Sequence, residues 1–178
     1  MDPINYLFNE LDIHHVWEDE IQLKRYEYLK RDGQLDSDLY YVKSGALRIF
    51  IKEEEEEMDI RFGYSGNLIA ALDCFITDQP SDLIIQSIRK TELQRISKSR
   101  YLEFIHSKPE YLEIWDTILQ GLILQQMERE RDLLTSSPME RYLRVKDRSP
   151  QLFQEIPNKY IASYLRMTPE TLSRLKKS

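Results

Sequence analysis

The stretch Asn158–Ser178 reads NKYIASYLRMTPETLSRLKKS. Apolar side chains fall at Ile161, Leu165, Met167, Leu172 and Leu175, and small Ala162 follows Ile161. This spacing predicts two short helices crossing at a tight turn, with Ala162 permitting the close approach. Thr168 is placed to cap the second helix with its hydroxyl. Pro169 then takes the first helical position, where a missing N–H costs nothing. Thr171, Ser173, Arg174, Lys177 and Glu170 stay outside the buried stripe. That is the form of a helix-turn-helix, whose second helix lies in the DNA major groove. The same spacing also suits a helical hairpin packed in a core. Arg166 occupies the turn, where glycine is commoner because the backbone there is left-handed.

Working outward, the charge distribution separates this end from the rest. The net charge is −6 over 178 residues. Residues 141–178 carry nine Lys/Arg and three Asp/Glu, a net of +6, so residues 1–140 carry −12. A basic end on an acidic body is the asymmetry expected when one end meets phosphate. The acidic body helps to confine contact to that end.

Several classes are excluded. No apolar run approaches the roughly 18 residues of a membrane span. The N-terminus, MDPINYLFNELDI, is acidic and lacks the basic-then-apolar order of a secretory signal. The single cysteine, Cys74, cannot make an internal disulfide, a zinc cluster or a four-thiolate iron–sulfur site. These features predict a soluble, cytoplasmic protein with no cofactor. No nucleophile–base pair stands out, so no catalytic residue is assigned. His14-His15 reads as a surface pair rather than a metal site.

Residues 21–96 read as β. Ile21, Leu23 and Tyr26 precede a turn near Asp32-Gly33, and Leu39–Val42 follows. In Ala46–Ile51, Leu47, Ile49 and Ile51 alternate against Arg48 and Phe50. The run Glu53–Glu57 belongs on a solvated turn, since adjacent like charges repel. Met58–Phe62, Leu83–Ile85 and Leu93–Ile96 add further strands. Short strands with turn signals about every ten residues predict an antiparallel sandwich or barrel.

From Ser99 the period changes. Tyr101, Leu102, Phe104 and Ile105 predict one helix, and a longer one runs from about Pro109 to Leu134. On it Leu112, Trp115, Leu119, Leu122, Gln126, Arg129 and Leu133 form a heptad seam. Ile118, Ile123 and Leu124 widen the stripe. Such a helix can pack on its own domain and on a twin; the plainer alternative is one helix docked on one core. Thr135-Ser136-Ser137-Pro138 breaks the helix and caps another near Met139.

This order of β-roll, long helix and helix-turn-helix resembles the Crp/Fnr family of bacterial transcription regulators. Asp38–Arg48, DLYYVKSGALR, resembles the family's aromatic-rich strand ending in Ser-Gly. Gly66-Asn67-Leu68-Ile69 resembles its Gly-Asp-hydrophobic-Ile step, and Ile161–Lys177 its helix-turn-helix. The resemblance implies an α+β chain: a jelly-roll sensor of cyclic-nucleotide-binding type over 1–107, a dimerisation helix over 108–136 and a DNA-binding head over 137–178. It implies a homodimer on an inverted DNA repeat, with a small-molecule effector and RNA polymerase as further partners. Lys159, Arg166, Lys176 and Lys177 would hold phosphates, while Thr168, Glu170, Thr171, Ser173 and Arg174 would face the bases. The ligand pocket would be lined by Gly66, Asn67, Ile69, Ala70, Ala71, Leu72, Ser81 and Asp82.

The chain departs from the family in three ways. Members that bind cyclic AMP use a Gly-Glu-Leu helix start and a following Arg-Ser. Here those places read Ala70-Ala71-Leu72 and Ser81-Asp82. The ribose carboxylate and the phosphate arginine are both gone, so cyclic AMP binding in the family manner is not expected; the pocket takes another ligand or none. Pro169 replaces an arginine at the start of the recognition helix, while Glu170, Thr171 and Arg174 match. Glu170 and Arg174 stand four apart and can pair. The sequence ends at Ser178 without a β-wing, which predicts a wingless or truncated form. An alternative is an effector-binding module with a vestigial head; an enzyme on the roll would call for a metal cluster that the strands do not supply.

Overall fold

The computed structural model of the chain describes residues 2–177. Helix α1 (Pro3–Ile13) is followed by strands β1 (Asp19–Leu23), β2 (Tyr28–Lys30), β3 (Leu39–Ser44), β4 (Ala46–Glu53), β5 (Glu56–Tyr64) and β6 (Leu68–Ile69). A short α2 (Leu72–Thr77) precedes β7 (Ile84–Ser87) and β8 (Thr91–Ile96). Helices α3 (Lys98–His106), α4 (Pro109–Leu134), α5 (Pro138–Arg148), α6 (Leu152–Glu155), α7 (Asn158–Tyr164) and α8 (Pro169–Leu175) complete the chain.

The strands form two antiparallel four-stranded sheets, in the orders β1-β8-β3-β6 and β2-β7-β4-β5. The roll is closed from within by Leu47, Val42, Ile85, Leu93 and Cys74. Gly63 is required where β5 passes under Ile69, because a Cβ there would meet the Ile69 side chain at 2.3 Å. A second cluster joins Leu7 and Leu11 of α1 to Tyr101, Ile105, Tyr111 and Ile118. A third is shared between roll and head: Ala46, Phe62 and Ile88 pack with Tyr142, Leu152, Ile161, Ala162, Leu165 and Leu172. Burying each large apolar side chain stabilises by about 1.5–3 kcal/mol, so the head is fastened to the roll by apolar area as well as by the chain.

One expected alternation is corrected. Arg48 and Phe50, read as the outward positions of β4, are buried. A register shift between Ile49 and Phe50 turns the strand, and the head covers the face that would otherwise meet water. The acidic run does form the β4–β5 turn, with Glu55 almost fully exposed. Its last member, Glu57, instead pairs with Arg48 at 2.6 Å.

Candidate nucleic-acid interface

The two C-terminal helices carry the cap chemistry expected from their residues. Thr168 is the N-cap of α8, and its Oγ1 accepts from Thr171 N at 3.2 Å. Pro169 occupies the first helical position. Arg166 does adopt the left-handed backbone, at φ 52°. A non-glycine residue there is unfavourable by roughly 1–2 kcal/mol. The turn is held by Met167 N donating to Ala162 O at 3.0 Å and by Arg141 Nη2 donating to Arg166 O at 3.2 Å.

Leu172 and Ala162 are fully buried, whereas Glu170, Ser173 and Arg174 of α8, and Lys177 just past its end, are exposed. Thr171 is half-buried, and Arg174 Nη2 reaches its Oγ1 at 3.5 Å. The Glu170 carboxyl is held below its usual range by its own backbone N–H and by Thr168, so it is an anionic acceptor at the helix start. Lys159, Arg166 and Lys176 are also exposed. Partial burial and the nearby Lys146 lower the Lys176 pKa. The structure therefore brings all nine predicted contact residues to one small domain.

Three clamps fix this domain on α4. The Arg129 guanidinium lies 3.7 Å from the Tyr164 ring centre and donates to the Tyr164 carbonyl. Burial lowers its pKa, and its Nη1 finds no acceptor among the described residues. Arg141 donates to Thr135 O at 2.7 Å as well as to the turn. Fully buried Asp132 accepts from Arg144 Nε at 3.1 Å and from Arg148 Nη2.

The head also touches the roll. Ser163 Oγ lies 3.1 Å from Asp59 N, Arg48 stands over the Tyr160 ring at 4.8 Å, and Arg89 pairs with Glu155. Asp59 is buried with Oδ1 unbonded, 3.8 Å from Arg48 Nη1. Burial pushes its pKa up to about 6, against the opposing pull of Arg48. The folded protein thus holds this proton more tightly than the unfolded chain. Its contribution favours folding below about pH 4 and is lost as pH rises from there to about 6. Asp59→Asn should therefore raise stability at pH 7 by about 1–3 kcal/mol. It should also flatten that part of the pH profile. Urea unfolding at pH 4, 5, 6 and 7 checks both; an unchanged slope would refute the assignment.

The predicted seam on α4 is divided by the fold. Trp115 and Leu122 pack into the cluster shared with α1 and α3, and Trp115 lies edge-on to Tyr101 at 5.1 Å. Arg129 serves the head. Leu112, Gln126 and Leu133 are exposed and Leu119 is half-buried. The open apolar side chains of α4 are Leu112 (38 % exposed) and Leu133 (44 %) of the seam together with Ile123 (61 %), Leu124 (63 %), Met127 (48 %) and Leu134 (78 %).

The pocket candidates lie on the β5–β6 turn, on β6, at the start of α2 and on the segment before β7. Asn67 Oδ1 accepts from Tyr64 N at 3.1 Å beside Gly66, whose φ of 89° makes the turn. Ile69 and Ala71 are buried, Ala70 and Leu72 half-buried, and Asp82 is exposed. Ser81 is held by Cys74 Sγ, 3.3 Å from its Oγ. Sequence reasoning missed Lys30, almost wholly buried, whose ammonium donates to Ser81 O at 2.9 Å, Leu83 O at 2.6 Å and Arg31 O at 3.3 Å. It reaches the Ser81 carbonyl, beside the place of the missing phosphate arginine, but backbone carbonyls occupy it. Its only signal in the sequence is a lysine where a strand would carry an inward side chain. Among the described residues no group of His, Cys, Asp and Glu is placed to hold a metal. No described helix is long and apolar enough to cross a membrane.

Residues 20–108 match the cyclic nucleotide-binding domain family. The chain belongs to this family. The match ends where α4 begins, so the clamps and the helix-turn-helix lie outside it. No curated protein matches the sequence. Among solved structures, the c-di-GMP responsive global regulator CLP of Xanthomonas campestris is similar, at 17 % identity and TM-score 0.70, covering 96 % of this chain and 90 % of that one. A CooA mutant from Carboxydothermus hydrogenoformans shares 15 % identity with TM-score 0.73 over 96 % and 82 %. FixK2 from Bradyrhizobium japonicum shares 16 % with TM-score 0.73 over 89 % and 82 %. These likenesses establish a cyclic nucleotide-binding roll followed by a long helix and a small helical region, the fold of Crp/Fnr-type regulators.

Proposed function

We propose that this protein is a dimeric, sequence-specific DNA-binding transcription regulator that does not respond to cyclic AMP. The observation that carries the reading is α8: its apolar side is buried by Leu172, its start is capped by Thr168, and Glu170, Ser173 and Arg174 are exposed on it, with Lys177 exposed just past its end. An exposed arginine can bond guanine bidentately and a carboxylate can accept from cytosine N4. Lys159, Arg166, Lys176 and Lys177 supply phosphate contacts. The open stripe at Ile123, Leu124 and Met127 supports pairing with a second copy, which sets two α8 helices about one DNA turn apart.

Selection from a random DNA pool at stated salt tests the reading. An enriched inverted repeat is expected; no enrichment down to low salt would reject it. Arg174→Ala should cost roughly 1–3 kcal/mol and relax preference at one position per half-site. The same selection repeated with the variant checks this, and an unchanged preferred sequence would remove Arg174 from base readout.

The effector part of the reading rests on Ala70-Ala71-Leu72, on exposed Asp82 and on the engagement of Lys30 by carbonyls. A buried phosphate there would lack a free cation beside an acid. Thermal melting with and without millimolar cyclic AMP should give the same Tm, and a reproducible rise would show nucleotide binding.

A further inference from the structure

We infer that the acidic cleft between the end of α1 and the outer face of β1 and β8 is a binding site for a free aliphatic polyamine. The cleft shares no residue with the head or with the pocket candidates, and its occupancy can be tested without DNA. It is open and has a volume of about 260 Å³. Gln94 of β8 stands in register with Glu20 of β1 and Tyr41 of β3, so these three side chains share one face of the sheet. That face points away from the roll interior, since Leu93, next to Gln94, belongs to the interior cluster. Part of it is covered from α1. Phe8 stacks on Tyr41 at 3.9 Å between ring centres, and Trp17 lies 5.8 Å from Phe8. Gln94 is thereby nine-tenths buried, yet its Oε1 has no donor among the described residues. Buried polar groups are usually paired, because an unpaired one is costly. Gln94 lines the cleft, so an occupant with N–H donors supplies what its carbonyl lacks.

The charge of the cleft selects a cation. Asp12, Glu18, Asp19 and Glu20 line it. Arg95 bridges Asp19 and Asp38, Lys43 lies 2.9 Å from Glu20, and Arg100 acts on Glu18 from α3. Five acids against three cations leave a net charge of −2. The Ser97 N–H holds the Glu18 carboxyl below its usual range, so this group stays anionic. The exposed Asp12 carboxylate has no hydrogen bond or ion pair among the described residues. Two features favour a chain of ammonium groups over a metal ion. Among the described residues no group of His, Cys, Asp and Glu is placed to hold a metal, whereas carboxylates spread along a cleft match charges spread along a chain. Trp17 also lines the cleft. Its Nε1 is unpaired as well, but an ammonium has no lone pair to accept from it; what Trp17 offers a cation and its methylenes is the ring face.

The full chain is titrated with spermidine at low ionic strength, and with magnesium chloride at matched ionic strength, reading tryptophan fluorescence and Tm. Trp17 and Trp115 are the two tryptophans of the chain, so Trp17→Phe identifies which one responds. Spermidine should give a saturable change that magnesium does not give, and should raise Tm. The fluorescence change should vanish in Trp17→Phe. Asp12→Asn should weaken spermidine binding several-fold and Gln94→Leu about tenfold. Glu55→Gln, on the exposed β4–β5 turn, should bind like the unaltered protein. Gln94→Leu removes an unpaired group and should melt no lower than the unaltered protein; if it folds poorly, the exposed Asp12 still decides the matter. A change that does not saturate, an equal response to magnesium, or a fluorescence response that survives in Trp17→Phe would overturn the site. So would equal losses in Asp12→Asn and Glu55→Gln, the mark of general attraction to an acidic surface. Binding of Nα-acetyl-lysine amide as tight as that of spermidine would make the occupant a single ammonium, such as a lysine side chain of a protein, and would overturn the polyamine.

Discussion

Replacing Asp132 with alanine should loosen the head from the long helix and cost about 2–4 kcal/mol of stability. The carboxylate is fully buried and accepts from Arg144 and Arg148, two residues of α5 one turn apart. Removing it leaves two guanidiniums facing one remaining acid, Glu128, which lies 2.9 Å from Arg144 Nη2 and 3.7 Å from Arg148 Nη1. Both arginines are partly exposed and can turn to water, so the loss stays below that of stranding a charge in a closed core. Arg148→Ala should cost less, because Arg144 still holds Asp132. The consequence for function exceeds that for folding. On the proposed reading two heads on one repeat bind together only if each is presented at a fixed angle, and Asp132 joins α4, which carries the open stripe, to α5, which shares a core with α8. Affinity for a full inverted repeat should therefore fall more than affinity for a single half-site. Urea unfolding and binding to both duplexes check the two parts; a stability change under about 0.5 kcal/mol would show that the clamp carries no energy.

What could be read in the sequence was local. The cap at Thr168, Pro169 at the helix start, and the break at Ser137-Pro138 each depend on residues within four positions, and each forms as expected: Ser137 Oγ accepts from Glu140 N at 3.3 Å. The β-roll was legible from alternation and turn residues, although the two-residue β6 and three-residue β2 carry too little pattern to stand out. Arg48 was not legible, since part of what covers it is Tyr160, more than a hundred positions away. Two positions of the α4 seam face the protein's own core for a related reason. Trp115 and Leu122 have the spacing of a dimer face, but periodicity does not say which partner a face meets, and the α1–α3 side takes them first. Arg166 shows the opposite: a residue that argues against a tight turn adopts it because Arg141 and Met167 hold the backbone from both sides.

Lys30→Met tests whether the buried lysine holds the segment between α2 and β7, with an expected loss of about 1–3 kcal/mol. Methionine matches the length of the buried stem but cannot donate to the carbonyls of Arg31, Ser81 and Leu83. Ser81 O keeps Gly33 N as a donor at 3.0 Å and Arg31 O keeps Gln34 N at 3.3 Å, so the orphaned group is chiefly Leu83 O. A buried carbonyl without a partner costs about 1–3 kcal/mol, offset in part by no longer burying an ammonium. The segment that loosens is the one linking α2 to β7, which holds Ser81 and Asp82. If Lys30 holds this segment closed, the variant should lose protection from hydrogen exchange at 79–83 and 31–35 before the sheets do. If exchange rises evenly over the roll, Lys30 is a core residue like its neighbours and the closure lies elsewhere. A variant that both loosens this segment and gains a Tm rise with cyclic AMP would show that the lysine, rather than the missing carboxylate and arginine, is what keeps the nucleotide out.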